Sequence, residues 1–323
     1  MANTLFINMY MKKFDYKDIN LVPKKCVVNS RSECDTSFQL GNFTFRMPIV
    51  PSNMESVINE DLCVKLAEAG YFYIMHRFDN DMFEFHKMMK SKLLVSSISI
   101  GVNEDAFNLV DKFVDNGSYP DFITIDIAHG HSVKMKDMIK YIKVNLPGSF
   151  IIAGNVSTPE GVSDLEGWGA DSCKVGIASG AFCSTAMNTG FGSRGCQASV
   201  IKECATVATK PIIADGGIRE PGDIAKSLVL GATCVMIGGM LGGFLDSPGE
   251  TIYSSEGSFK EMWGSASNRQ SGKSSRIEGI SKKVPLKNKT FLEEYKFLTE
   301  CLQSSISYGG GKDLKCFLNV YYI

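Results

Sequence analysis

Between Pro211 and Gly239 the chain reads PIIADGGIREPGDIAKSLVLGATCVMIGG. Two short apolar runs, Pro211–Ala214 and Cys234–Ile237, each lead into a glycine pair, Gly216-Gly217 and Gly238-Gly239. Between them, Pro221–Leu230 reads as a helix, with proline in its first turn and Gly231 just past its end. The apolar runs do not alternate with polar residues. Strands covered on both faces, as in a parallel sheet, read this way.

The same unit recurs upstream. Strand candidates are Met47–Ser52, Tyr71–Met75, Leu93–Ile100, Phe122–Ile127, Phe150–Ala153 and Ser172–Ile177. Helix candidates are Asn59–Glu68, Asp81–Lys90, Glu104–Asn116, Val133–Asn145, Thr158–Gly167 and Ala198–Ala208. Ser157-Thr158-Pro159-Glu160 supplies a hydroxyl cap, a first-turn proline and an acid near the positive helix end. Eight strands alternating with helices predict an α/β fold, a (β/α)8 barrel in one domain spanning 1–323. A doubly wound sheet would want a glycine fingerprint after its first strand, and none is there. Residues 1–46 form an N-terminal arm, and 246–289 a polar, mobile flap after the eighth strand. A helix over 290–304 and a glycine-rich tail turn over 305–312 complete the chain.

Composition narrows the function classes. The 323 residues are 44% hydrophobic and 21% charged, as in a globular protein with a large core. Thirty-four basic and 35 acidic residues give a net charge of -1, so no basic excess points to nucleic acid. The most apolar stretch, Ala232–Leu245, is short and glycine-rich, so no membrane partner is expected. Ten scattered cysteines without a CxxC pair, and no secretory signal, place the protein in the reducing cytoplasm.

Barrel enzymes act at the carboxyl ends of their strands. There the chain puts Asn53, His76-Arg77, Asn103, Asp126 to His131, Asn155, the 178–185 loop, Asp215-Gly216-Gly217 and Gly238-Gly239. The last two loops follow strands seven and eight, a common barrel phosphate seat. Asp215 could accept hydrogen bonds from a ribose. The plainer reading of either loop alone is a tight turn.

Cys183 follows a strand end among small residues, with Thr185 two positions on. It is a candidate nucleophile or an inert loop thiol, whereas Cys63, Cys173, Cys204 and Cys234 read as packing thiols. Gly190 to Gly195 spells G-x-G-x-x-G, but it follows no strand and reads as a loop hinge. His129 and His131 lack a third ligand for a metal.

Several segments together resemble the IMP dehydrogenase and GMP reductase family, on its GMP reductase side. They are Ser30-Arg31-Ser32-Glu33, Met75-His76-Arg77-Phe78, Ile125 to Ser132, Ala153-Gly154-Asn155-Val156, Lys174-Val175-Gly176-Ile177, Ala214 to Ile218 and Ser304 to Tyr308. The similarity runs from about Phe14 to about Lys315, with the motifs in order.

The resemblance implies NADPH-dependent conversion of GMP to IMP and ammonia in a homotetramer. It implies Cys183 as nucleophile, with Thr185 and Glu278 in proton transfer. It implies GMP contacts at Asp215, Gly216, Gly217, Gly238, Gly239, Ser265, Ala266, Ser267, Ser275, Arg276 and Gly279. It implies NADP contacts at Ser30, Arg31, Arg77, Asp126, Ile127, Ala128, Ser304, Ser305, Ile306 and Ser307, the last four reaching a neighbouring subunit. In related enzymes a monovalent cation such as K+ sits on carbonyls that correspond to Ala178, Gly180 and Cys183.

The 178–186 loop departs from the family pattern. Ala178-Ser179-Gly180 stands for Gly-Pro-Gly, Ala181 for serine or a basic residue, and Ala186 for a basic residue. Asn268-Arg269 replaces the usual acid after Ser267. Two alternatives stay open. One is IMP dehydrogenase, which needs an Arg-Tyr pair that the chain lacks. The other is a purine-nucleotide binder of weak catalysis.

Overall fold

The computed structural model describes residues 13–271 and 277–323. A hairpin of β1 (Phe38–Leu40) and β2 (Phe43–Phe45) precedes the barrel. The barrel strands are β3 (Ile49–Pro51), β4 (Ser97–Ile100), β5 (Phe122–Asp126), β6 (Phe150–Val156), β7 (Ser172–Val175), β8 (Ile212–Asp215) and β9 (Cys234–Ile237). All pair in parallel, in the order β3-β9-β8-β7-β6-β5-β4. The first and last barrel strands, β3 and β9, are thus neighbours, as closure of a (β/α)8 barrel requires.

The gap between β3 and β4 is where the second strand was expected. Tyr71–Met75 lies there without forming a regular ladder. One backbone bond, from Met75 N to Ser97 O at 3.1 Å, joins it to β4. Side chains do the rest: Ser99 Oγ donates to the Met75 carbonyl at 2.5 Å, and Tyr73 OH donates to Val95 O at 2.6 Å. The hydroxyls take up backbone pairing that a ladder would otherwise supply. Phe72 and Ile74 still face the barrel interior, while Tyr73 and Met75 face the helices.

That alternation explains the continuous apolar runs. Val50, Phe122, Ile152, Ile213, Cys234 and Met236 point inward. Ile49, Ile123, Ala153, Ala214, Val235 and Ile237 point outward into the helix layer. Both faces are therefore dry. The hairpin closes the amino end of the barrel with aromatics. Phe45 and Phe72 centroids lie 4.9 Å apart, Phe72 and Phe122 4.8 Å, and Phe122 and Phe150 5.4 Å. Fully burying one such ring contributes about 1.5–3 kcal/mol.

Helix starts follow the expected chemistry. Asn59, Asp81, Ser132 and Thr158 each accept a first-turn backbone N–H, worth about 1 kcal/mol per cap. The last helix runs Phe291–Tyr308, longer than the 290–304 expected. Ser305 to Tyr308 are therefore helical rather than turn. No breaker intervenes before Gly309-Gly310-Gly311, and Ser305 Oγ back-bonds to Cys301 O. The polar stretch after β9 holds a three-stranded antiparallel sheet, β10 (Thr251–Ser254), β11 (Gly257–Trp263) and β12 (Ser281–Pro285). Among the described residues, no helix is long and apolar enough to cross a membrane.

Two histidines make the core pH-sensitive. His86 is fully buried, with Nδ1 2.9 Å from Ser96 Oγ and Nε2 2.8 Å from Ser118 Oγ. Burial, helped by Lys90, lowers its pKa to about 4. Burial likewise lowers that of His76 to about 4. Both titrate near 6.5 when unfolded. The unfolded chain thus binds more protons between those values, so stability falls as pH drops from about 6.5 toward 4. Urea unfolding across this window should show that fall, and His86→Gln should reduce its slope.

Candidate active site

The cysteine loop rises from the end of β7. Cys183 Sγ donates to Thr185 Oγ1 at 3.2 Å, and Thr185 Oγ1 donates to Glu278 Oε2 at 2.5 Å. Thiol, hydroxyl and carboxylate form one hydrogen-bonded chain. All three are half-buried, so a ligand could reach them while bulk water is partly excluded.

The backbone explains how residues so far apart in sequence meet. Ser184 N donates to Glu278 O at 2.8 Å, and Ile280 N to Phe182 O at 3.0 Å. Gly264 N donates to Ile280 O at 3.1 Å. The base of the β10–β12 sheet is thus stitched to the cysteine loop. Glycine permits the approach: a Cβ on Gly264 would lie 2.6 Å from the Phe182 carbonyl oxygen. Ser265 and Ala266 make the adjoining turn, and Ala266 O accepts Glu278 N at 3.1 Å. Ser267 bridges Gly279. Ser275 and Arg276 lie outside the described residues.

Ala178 takes a left-handed φ of +56° where the family has glycine, at a cost of roughly 1–2 kcal/mol. Ser179, in place of the family proline, donates its hydroxyl to Asp215 O at 2.5 Å. It clasps the cysteine loop to the end of β8. Gly180 O accepts Cys183 N at 3.3 Å.

Asp215, Gly216 and Gly217 stand at the carboxyl end of β8, and Gly238 and Gly239 at that of β9. Gly216 has φ +81°, and a Cβ there would fall 2.4 Å from Ser179 Oγ. Gly216→Ala should therefore cost about 1–3 kcal/mol, read as a lowered midpoint in denaturant. Gly238 abuts Ser52 and Met54, two residues at the end of β3 to which the sequence reading gave no role.

A second polar cluster fills the barrel mouth. Lys174 is 3% exposed, and its ammonium lies 2.9 Å from Asp126 Oδ1 and 2.7 Å from Asp215 Oδ2. Asn53 Nδ2 donates to Asp126 Oδ2 at 2.9 Å, and Asn155 Nδ2 to Asp215 Oδ2 at 2.7 Å. Burial pushes the Asp126 pKa up, but Lys174, Asn53 and Arg77 outweigh it and hold the carboxyl below its usual range. Burial pushes Lys174 down, and the two carboxylates more than reverse this. Asn155 Oδ1 is buried without a hydrogen-bond partner among the described residues. Ile127 is half-buried and Ala128 exposed beyond Asp126, while Arg77 is exposed beside Gly101.

The remaining expected residues form a separate patch. Arg31 Nη1 donates to Ser304 Oγ at 3.2 Å, and the Arg31 guanidinium sits 5.5 Å from the Tyr308 ring centre. Ser30 caps the turn that holds Arg31. Ser304 and Ser305 line a cavity of about 510 Å³ with Leu21, Pro23 and Lys226. Ile306 and Ser307 are buried. Among the described residues, no hydrogen bond or ion pair joins Arg31, Ser304 or Ser305 to Cys183. A second cavity, of about 570 Å³, lies among Glu55, His76, Phe78, Trp263 and Arg269; of these the strand-end reading had marked His76, beside Arg77.

Cys63, Cys173, Cys204 and Cys234 are buried, and burial raises each thiol pKa, as packing thiols require. Gly190, Gly192 and Gly195 all take positive φ in a loop. Among the described residues, no group of three or more His, Cys, Asp or Glu side chains could hold a metal ion.

Comparison with known proteins agrees with this geometry. The model of the IMP dehydrogenase / GMP reductase domain matches residues 13–320. A GMP reductase of Pediococcus pentosaceus is 51% identical over 97% of this chain and 96% of its own length. One from Mesoplasma florum is 51% identical over 97% and 98%. One from Delftia acidovorans is 52% identical over 97% and 96%. The chain belongs to the IMP dehydrogenase / GMP reductase family.

Proposed function

We propose that this protein is an oxidoreductase that reductively deaminates GMP to IMP and ammonia, with NADPH as reductant. The observation that carries this reading is the unbroken Cys183–Thr185–Glu278 chain. It survives the substitutions in the loop, which favours a working enzyme over a binder that has lost its chemistry.

The residues suit each ligand. Asp215 Oδ1 makes no hydrogen bond among the described residues, so it is free for ribose hydroxyls. The glycine pairs at the ends of β8 and β9 give backbone N–H groups for a phosphate. Arg77, Arg31 and the serines around Ser304 match a dinucleotide phosphate chain. The Arg31–Ser304 patch would serve the site of a neighbouring copy in a homotetramer. For K+ the loop offers carbonyls only, and that of Gly180 is already engaged; no step below runs through a cation.

The steps follow from the proton chain. The Cys183 proton moves toward Thr185 and Glu278 as sulfur adds to carbon 2 of the purine, and N3 takes a proton from solvent that it gives up when the amine leaves. Glu278 then returns a proton through Thr185 to the exocyclic amine, which leaves as ammonia. A thioimidate to Cys183 remains. NADPH, when bound, supplies the hydride that reduces carbon 2. Sulfur then departs as the thiolate, releasing IMP, and takes up a proton from solvent to regenerate the Cys183 thiol. The test is spectrophotometric. NADPH absorbance should fall only when GMP is present, with IMP and ammonia formed in equal amounts. A folded protein that shows no such loss, or that makes XMP from IMP and NAD, rejects the reading.

A further inference from the structure

Strand β7 reads Ser172-Cys173-Lys174-Val175. Cys173 faces the helix layer, so alternation turns Lys174 into the barrel. A lone ammonium buried there would cost several kcal/mol. Two carboxylates offset this. One, on β5, belongs to the cofactor side; the other, on β8, belongs to the substrate side. Asn53 and Asn155, both neutral, hold their remaining geometry. Arg77, from the loop after Tyr71–Met75, is the other charge acting on Asp126.

From this geometry we infer that Lys174 is a positioning residue that ties Asp126 to Asp215, so that the two ligand seats are set as one unit. The inference rests on the reductase reading above. Its logic is electrostatic. Two carboxylates that share a dry site cannot both stay ionised without the cation between them; one takes a proton. Whichever carboxyl takes the proton becomes a hydrogen-bond donor and no longer serves its ligand as a pure acceptor.

The experiment compares the wild type with Lys174→Met, Lys174→Arg and the double variant Lys174→Met/Asp126→Asn. The readout is kcat/KM for GMP across roughly pH 5 to 9. For Lys174→Met the acid limb should move into the neutral range, so that activity drops at least about tenfold between pH 8 and 6, with KM rising more than kcat falls. Lys174→Arg should keep the wild-type limb. The double variant has no second carboxylate and should return the limb to its wild-type position while KM stays high. A purely structural lysine would lower stability in Lys174→Met without moving the limb, and that result overturns the assignment.

Should Lys174→Met fail to fold, infrared spectroscopy of the wild type gives the answer. No protonated carboxyl band that disappears in Asp126→Asn should be seen above about pH 5, and such a band would overturn the assignment. A wild type inactive with GMP and NADPH defeats the reductase reading instead, whereas an unmoved limb in an active Lys174→Met protein defeats only the lysine assignment.

Discussion

Replacing Cys183 by alanine should abolish turnover, lowering kcat by at least about 10⁴-fold, while the protein stays folded and still binds GMP. The thiol is half-buried and, among the described residues, hydrogen-bonds only the Thr185 side chain, so its removal leaves no unpaired charge. No other nucleophile stands in its place: Cys173, at the root of the same loop, is buried with its pKa raised by desolvation. Without the sulfur, the amine would have to leave in a single direct displacement by hydride. Steady-state kinetics with GMP and NADPH, paired with calorimetry of GMP binding, check this. Residual activity above one hundredth of the wild type, by roughly the scale of acid–base assistance alone, would mean that chemistry proceeds without the adduct.

Replacing Glu278 by glutamine should cost about 10²–10⁴-fold in kcat, the range of general acid–base assistance. The amide keeps the shape and can still hydrogen-bond Thr185, yet it neither takes the thiol proton nor gives one to the departing amine. KM for GMP should change little, since Glu278 touches Thr185 rather than the loops at β8 and β9. Ammonia release should slow in parallel with NADPH oxidation. A kcat within about threefold of the wild type would remove Glu278 from the proton path. Thr185→Val should fall in the same direction, because it breaks both bonds of the relay.

Much of the architecture is legible in the sequence because buried parallel strands announce themselves. Cys234–Ile237 and Val133–Asn145 sit where the apolar runs and caps put them. Tyr71–Met75 has the composition of a strand and the position of one. Whether a ladder forms depends on the Ser99 and Tyr73 hydroxyls, the latter accepting the Ser97 N–H, and no local pattern reveals this. The β1–β2 hairpin is hidden in the N-terminal arm, since its Phe residues gain their meaning only against Phe72 and Phe122.

The site divides in the same way. Strand-end position marks Asp126 and Asp215, and the glycine pairs mark the turns. Glu278 is ninety-five residues beyond Cys183 in the numbering and is brought to it by sheet pairing, so only kinship pointed to it. Lys174 carried a readable signal that went unused: a lysine inside a doubly buried strand must find an acid. Ser179 shows the converse. It looks like damage to the loop in the sequence, and in the fold it bonds the Asp215 carbonyl.

The most direct test of covalent catalysis is to mix the protein with GMP in the absence of NADPH, quench in acid and examine the peptides by mass spectrometry. The peptide carrying Cys183 should gain the mass of GMP less ammonia, and a chase with NADPH should discharge it as IMP. An active enzyme whose Cys183 peptide stays unmodified, or whose adduct sits on another cysteine, would contradict the account.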